Sequence, residues 1–260
     1  MAAALGIPRI AGLTEAFVLR RLNDYAATEQ PTNGRRNPMH QIAACLLPAD
    51  RGAVAAYLSR QPPDMPLDPA PALAPLHTAP TPYQACAACQ ANAATDFGLP
   101  APNLSLQGTP CLTCQLALFR SDKRRYSAMQ AQTHGPSSVD LRSLARYIGA
   151  LPTVPSNAHG GWEPSSAEAI SAATTLATQG DPNRNIAACA SCHVDTSGMI
   201  ALITRLNGQV PRYLHSQLEY FSQNSAREVL SPIPHIAVAL TGTERRALAD
   251  YFAGQPILPK

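Results

Sequence analysis

Seven cysteines carry most of the chemistry open to this sequence. Six of them are paired, Cys86/Cys89, Cys111/Cys114 and Cys189/Cys192, and Cys45 stands alone. A C-x-x-C pair serves as a redox couple, as half of a metal site or as an attachment point for haem. The last pair is followed at once by a histidine, giving Cys189-Ala190-Ser191-Cys192-His193. Two thiols at this spacing reach two vinyl groups on one edge of a haem, and the adjacent imidazole faces the iron as its proximal ligand. A thiol redox pair with an incidental histidine is the competing reading, but such pairs sit beside a βαβ pattern, which this sequence lacks. Cys189, Cys192 and His193 therefore read as a covalent haem c site.

The second pair departs from that pattern. Cys86-Ala87-Ala88-Cys89 is followed by Gln90, whose amide oxygen is a poor iron ligand. With Cys111 and Cys114 it forms two pairs separated by 21 residues, close to a four-cysteine zinc pattern. Outside the cytoplasm the same thiols could pair as disulfides. Three readings stay open: zinc at Cys86, Cys89, Cys111 and Cys114, a haem-less disulfide-stapled unit, or an atypical haem on Cys86 and Cys89. Cys45, in Ile42-Ala43-Ala44-Cys45-Leu46, reads as a small core residue.

The elements that position these groups repeat. One stretch runs from Ala11-Gly12 through the amphipathic Leu13 to Tyr25, then Met39-His40-Gln41-Ile42-Ala43, and ends in Ala55-Ala56-Tyr57-Leu58. A second runs from Leu106-Gln107-Gly108 through Gln115 to Phe119, then Ser127-Ala128-Met129, and ends in Ala145-Arg146-Tyr147-Ile148. A third runs from Asn207-Gly208-Gln209 through Tyr213 to Phe221, then Ile233-Pro234-His235-Ile236-Ala237, and ends in Ala249-Asp250-Tyr251-Phe252. Tyr147 lies 90 residues after Tyr57 and Tyr251 a further 104, and Met39, Met129 and Ile233 keep the same steps. A period of this length is a small domain rather than a solenoid turn. Tyr213, Leu214, Gln217, Leu218 and Phe221 fall at helical spacing, and Thr241-x-x-Glu244 is a capping box that opens the last helix.

Composition agrees with small helical units: 45% hydrophobic and 14% charged residues can bury cores, while 25 prolines and 15 glycines demand many turns. Seven prolines between Pro62 and Pro80 make a stiff linker. The expectation is an all-α chain of tandem domains: 1–60, a Pro-rich linker 61–82, then 83–152, a linker 153–164, and 165–260.

CxxCH, then Gly208-Gln209 and Tyr213-Leu214-x-x-Gln217-Leu218-x-x-Phe221, then the Ile-Ala loop and an aromatic-ended helix resemble the class I cytochromes c. The tandem di-haem cytochromes of bacterial periplasms are the nearest in pattern, and the resemblance covers most of 5–60, 83–152 and 165–255. It implies haems wrapped between a proximal His and a distal Met, with Met39 and Met129 at distal positions. The third unit has Ile233 where that Met would stand, and isoleucine cannot ligate iron. His235 is a possible distal substitute, with Met199 and His215 as weaker ones, so the haem is either five-coordinate or ligated by two histidines. Cys86 and Cys89 mark a degenerate site, and one haem is expected on the chain. The first unit has Met39 but no attachment motif. Counting back from Met39 by the Cys-to-Met interval of the later units lands just upstream of Met1, which leads us to expect a longer natural product with an export signal.

Net charge is +3, and no basic run interleaves with aromatics, so nucleic acid is not an implied partner. No apolar run approaches the roughly 18 residues of a membrane span. The resemblance implies a periplasmic electron carrier, or the electron-carrying subunit of an oxidoreductase, meeting a redox partner transiently or within a complex. Two other classes stay open: a five-coordinate haem protein binding small gases or peroxide, and a non-redox zinc module.

Overall fold

The computed structural model describes residues 10–27, 38–62, 76–90, 101–153, 161–194, 201–224 and 232–257, with 38 and 88–90 described by backbone alone. These residues include twelve α-helices, α1 (Glu15–Ala27), α2 (Pro38–Cys45), α3 (Pro48–Ser59), α4 (Tyr83–Gln90), α5 (Thr109–Arg120), α6 (Ser127–His134), α7 (Ser138–Ala150), α8 (Ala167–Gln179), α9 (Ala190–His193), α10 (Pro211–Gln223), α11 (Ile233–Ala239) and α12 (Gly242–Ala253), and two short 3-10 helices, Leu104–Leu106 and Pro182–Arg184. Among the described residues the extended structure is one isolated antiparallel bridge, Asp181 to Ile186. The all-α expectation holds. The chain divides into two compact units, Met1–Ala74 and Pro75–Lys260.

In the first unit α1 packs on α3 and α2, because Val18 and Leu22, one helical turn apart, share a face that meets Ala43, Ala55 and Leu58. Met39 is half-buried against this core. His40 is buried, with Nδ1 3.0 Å from the Tyr25 carbonyl and its ring edge-on to Tyr25. Cys45 is buried as expected, but it is disulfide-bonded rather than a plain core thiol. Burial beside a second cysteine needs close approach in space, which a lone cysteine in a sequence does not advertise.

The second unit holds two cores. One gathers Leu112 and Leu116 of α5 with Leu141, Leu144, Ala145 and Ile148 of α7, and Cys86, Met129 and Tyr147 pack around it. The other gathers α8, α10 and α12 through Leu176, Ala177, Leu214, Leu248 and Phe252. Each core is closed by a capped helix. Thr241 and Glu244 form the expected capping box at α12, and Ser137 with Asp140 forms another at α7. Glu244 also receives Arg184 at 2.7 Å, and that hydrogen-bonded ion pair holds its carboxyl down at about 2.

One device recurs in all three helix trios. The short helix of each ends in two carbonyls that a guanidinium bridges. Arg51 Nη1 reaches the Ala43 and Leu46 carbonyls at 3.4 and 3.0 Å, and Arg245 Nη1 reaches those of Ala237 and Leu240 at 3.0 and 2.5 Å. The middle trio has Leu141 at the position of these arginines. There Arg120, from α5 instead, donates to the Thr133 carbonyl at 2.9 Å and to that of Pro136. A cation at the carbonyl end of a helix satisfies orphan acceptors and opposes the dipole. That three trios meet the same need from two different helices shows how much the short helix depends on it.

Candidate haem site around His193

The chain enters the site through a tight turn. Gly180 ends α8 at φ +72°, and a Cβ there would lie 2.3 Å from the Ile186 carbonyl oxygen. Glycine alone tolerates both demands. Asp181 and Ile186 then exchange backbone hydrogen bonds at 2.8 and 2.9 Å, and the chain turns into α9. Cys189 caps this single turn, its carbonyl accepting from His193 N at 3.0 Å and Cys192 N at 3.2 Å. Positions i, i+3 and i+4 share a helix face, so the two sulfurs and the imidazole are grouped.

Their environments differ in a useful way. Cys189 is half-buried against the core that includes Leu176 and Leu248, and burial raises its thiol pKa; Cys192 is exposed. His193 is buried, and desolvation lowers its pKa, so the ring is neutral at pH 7, the form that ligates a metal. Its Nδ1 lies 2.6 Å from the Thr204 carbonyl. That bond assigns the proton to Nδ1 and leaves the Nε2 lone pair for iron. A small cavity adjoins the ring, lined by Leu106, Val194, Arg205, Asn207 and Ile257. Asn207 Oδ1 is buried there without a hydrogen bond among the described residues. Two free thiols, an oriented neutral imidazole and a polar wall with a guanidinium suit a haem, which carries vinyl groups on one edge and carboxylates on another.

The walls of the site come from two cores. Gln209 Oε1 accepts from Asn103 N at 2.6 Å while its Nε2 donates to the Asn103 carbonyl at 3.2 Å. Gln107 does the same in reverse to the backbone of Arg205, at 2.9 Å in both directions. A pseudo-twofold relates the two exchanges, Gln107 matching Gln209 and Asn103 matching Arg205. This register corrects the sequence alignment of the glycines. Gly208, at φ +72°, is pinned by its N–H to the Phe252 carbonyl at 2.9 Å, whereas Gly108 is the N-cap of α5 at φ −78°. The paired glutamines are what the sequence reading missed, and the repeated Gln beside a helix start was their signal.

The other predicted site residues lie apart from this group. Ile233 opens α11 and is half-buried; His235 is exposed on the same helix. His215 is occupied, its ring 5.5 Å from that of Trp162 and its Nε2 3.7 Å from Glu219. Met199 lies outside the described residues, as do the side chains of Cys89 and Gln90. Met39 and Met129 are half-buried against their respective cores. Cys111 is a buried free thiol, donating to Gln107 Oε1 at 3.7 Å and pushed up to about 12 by desolvation. Cys114 is buried and disulfide-bonded. The four-cysteine zinc reading thus loses a ligand, since a disulfide sulfur has no thiolate to offer. Among the described residues no cluster of three or more His, Cys, Asp or Glu is placed to hold a metal ion.

Trios of helices closed by aromatic-ended helices, with a CxxCH turn presenting an oriented imidazole, are consistent with a tandem class I c-type cytochrome, and the comparisons agree. Relatives by sequence are the thiosulfate dehydrogenase electron acceptors of Stutzerimonas stutzeri, 33% identical over 54% of the chain and 63% of that protein, and of Thiomonas intermedia, 27% identical over 70% and 83%. Among solved structures, thiosulfate dehydrogenase (TsdBA) from Marichromatium purpuratum is similar at 30% identity and TM-score 0.54, covering 66% of the chain and 36% of that one. Cytochrome c4 from Pseudomonas stutzeri shares the fold, at 20% identity and TM-score 0.54 over 66% and 94%. The matched segment spans less than two thirds of the Stutzerimonas relative. No protein-family model matches the chain.

Proposed function

We propose that this chain is an electron-transfer cytochrome carrying one haem c on Cys189 and Cys192, with His193 as proximal iron ligand. The observation that carries the reading is the 2.6 Å contact between His193 Nδ1 and the Thr204 carbonyl, which leaves Nε2 to face a metal beside two thiols. When bound, the haem supplies a one-electron couple at iron; the chain fixes the ring, holds it neutral and buries it. The relatives' names point to the donor: an enzyme oxidising thiosulfate or a related reduced sulfur anion, met transiently or as a complex subunit. Haem c is attached outside the cytoplasm, which supports a periplasmic location. No helix among the described residues is long and apolar enough to cross a membrane.

In this reading the chain has three cytochrome-like segments, 1–60, 83–152 and 165–260, with linkers 61–82 and 153–164. Gln90 in the proximal position keeps the Cys86/Cys89 segment free of haem, and Met39 and Met129 serve their cores. A second reading has one observation in its favour. Ile233 stands at the distal position and His235 is exposed, so the iron is five-coordinate and open to a small ligand such as carbon monoxide.

Replacing both Cys189 and Cys192 by Ala should abolish haem staining on a denaturing gel and remove one haem mass from the intact protein. Staining that persists would assign haem to Cys86/Cys89 and defeat the single-site reading.

A further inference from the structure

The peptide group joining Thr204 to Arg205 is engaged at both ends. Its carbonyl accepts from His193 Nδ1 at 2.6 Å, and its N–H donates to Gln107 Oε1 at 2.9 Å. The two bonds leave a planar trans peptide in opposite directions, so imidazole, peptide and glutamine amide form one series of hydrogen bonds. Gln107 Nε2 closes the clamp on the Arg205 carbonyl at 2.9 Å. Gln107 is 4% exposed and ends the short turn Leu104–Leu106 that leads into α5, outside the segment that carries His193.

We propose that Gln107 is a positioning residue for His193: the segment with no proximal histidine of its own orients and polarises the acceptor of its neighbour's proximal ligand. The proposal rests on the haem reading of Cys189, Cys192 and His193. Hydrogen bonds in series strengthen one another in a low-dielectric interior. An engaged N–H makes the Thr204 carbonyl a better acceptor, and a stronger Nδ1–H···O bond makes the imidazole more basic toward iron. A more basic ligand favours the oxidised, more highly charged iron, so Gln107 holds the midpoint potential down.

The molecule contains its own control. Gln209 makes the mirror-image clamp on Asn103, at the same interface and with the same chemistry. The backbone it grips bears no iron ligand in this reading. Losing either glutamine removes three hydrogen bonds, the third coming from the Cys111 thiol to Gln107 Oε1 or from the Val210 N–H to Gln209 Oε1, but only Gln107 touches the peptide behind His193.

The experiment uses the holoprotein with Gln107→Leu, Gln107→Glu and Gln209→Leu. Midpoint potential is measured, together with the His193 Nδ1–H resonance in reduced protein, carbon monoxide being added to close the sixth position and keep the iron diamagnetic. Gln107→Leu should raise the potential and move the resonance upfield. Gln209→Leu should lower the unfolding temperature comparably while leaving both readouts at their wild-type values. Gln107→Glu keeps an acceptor for the Arg205 N–H, so the resonance should stay at or downfield of its wild-type position. Unchanged readouts in Gln107→Leu, or equal shifts in Gln209→Leu, overturn the proposal. Should Gln107→Leu not fold, an upfield resonance in Gln107→Glu overturns it equally. Absence of covalent haem from the wild-type protein would be a different failure: it removes the haem reading itself, and the proposal with it.

Discussion

Ile233 is the residue on which the redox character of the proposed site turns. It opens α11 where the related pattern carries a thioether, and a branched hydrocarbon brings no lone pair to iron. His235, two residues on, is exposed on the same helix. Thioether ligation raises a haem potential. Ile233→Met should therefore raise the midpoint and introduce the red absorption band of an iron–sulfur bond, and His235→Ala should leave the spectrum as it is. A wild-type spectrum that already contains this band would mean that another methionine binds iron. The CxxCH group itself was legible in sequence, because covalent attachment needs the two thiols and the imidazole at fixed spacing in one turn. The acceptor behind the imidazole was not: Thr204 is eleven residues away, and only folding brings its carbonyl to Nδ1.

Among the elements, the short helices α2, α6 and α11 are the weak links. Each has only seven or eight residues, too few to be stable alone, and each is held by one arginine. Arg245 is the most committed of these, with two carbonyls at 3.0 and 2.5 Å and Glu219 at 2.7 Å, and its side chain is 15% exposed. Hydrogen bonds to a buried charge contribute about 1.5–3 kcal/mol each. Arg245→Ala should then cost on the order of 3 kcal/mol in urea unfolding, the lost bonds being partly replaced by water. Arg245→Lys should recover little, since an ammonium cannot span two carbonyls and a carboxylate in one plane. A loss below about 1 kcal/mol would mean that α11 is held by its apolar face alone. Helix positions and the Thr241–Glu244 box follow from local pattern. The use of Arg120 in the middle trio does not, because Leu141 stands where the other trios carry an arginine and only the packing of α5 on α6 reveals the substitute.

At the scale of the molecule, the cores are unequal. Among the described residues the core cluster of the first unit holds Val18, Leu22, Ala43, Ala55 and Leu58, while that of α8, α10 and α12 holds ten side chains including Leu176, Leu248 and Phe252. The first unit also exposes Ile10, Phe17 and Tyr57, each more than 40% accessible. Each large apolar side chain buried is worth roughly 1.5–3 kcal/mol, so the first unit should open at lower free energy. Amides of α1 and α3 should exchange with deuterium well before those of α10 and α12. Equal protection would show that the first unit draws stability from contacts other than its own small core.

What the sequence determined by itself was the chemistry that lies within a few residues: a CxxCH turn, helices of 3.6-residue period, their caps, and an all-α fold. These depend on neighbours along the chain, and their spacing is written there. What only the tertiary structure decided was which groups meet across distance. Cys114 is committed to a disulfide, His235 is exposed on α11, and Gln107 grips a peptide 98 residues away. A sulfur, an imidazole or an amide has the same valence wherever it stands, and its partner is chosen by the packing of helices whose contacts no local pattern records.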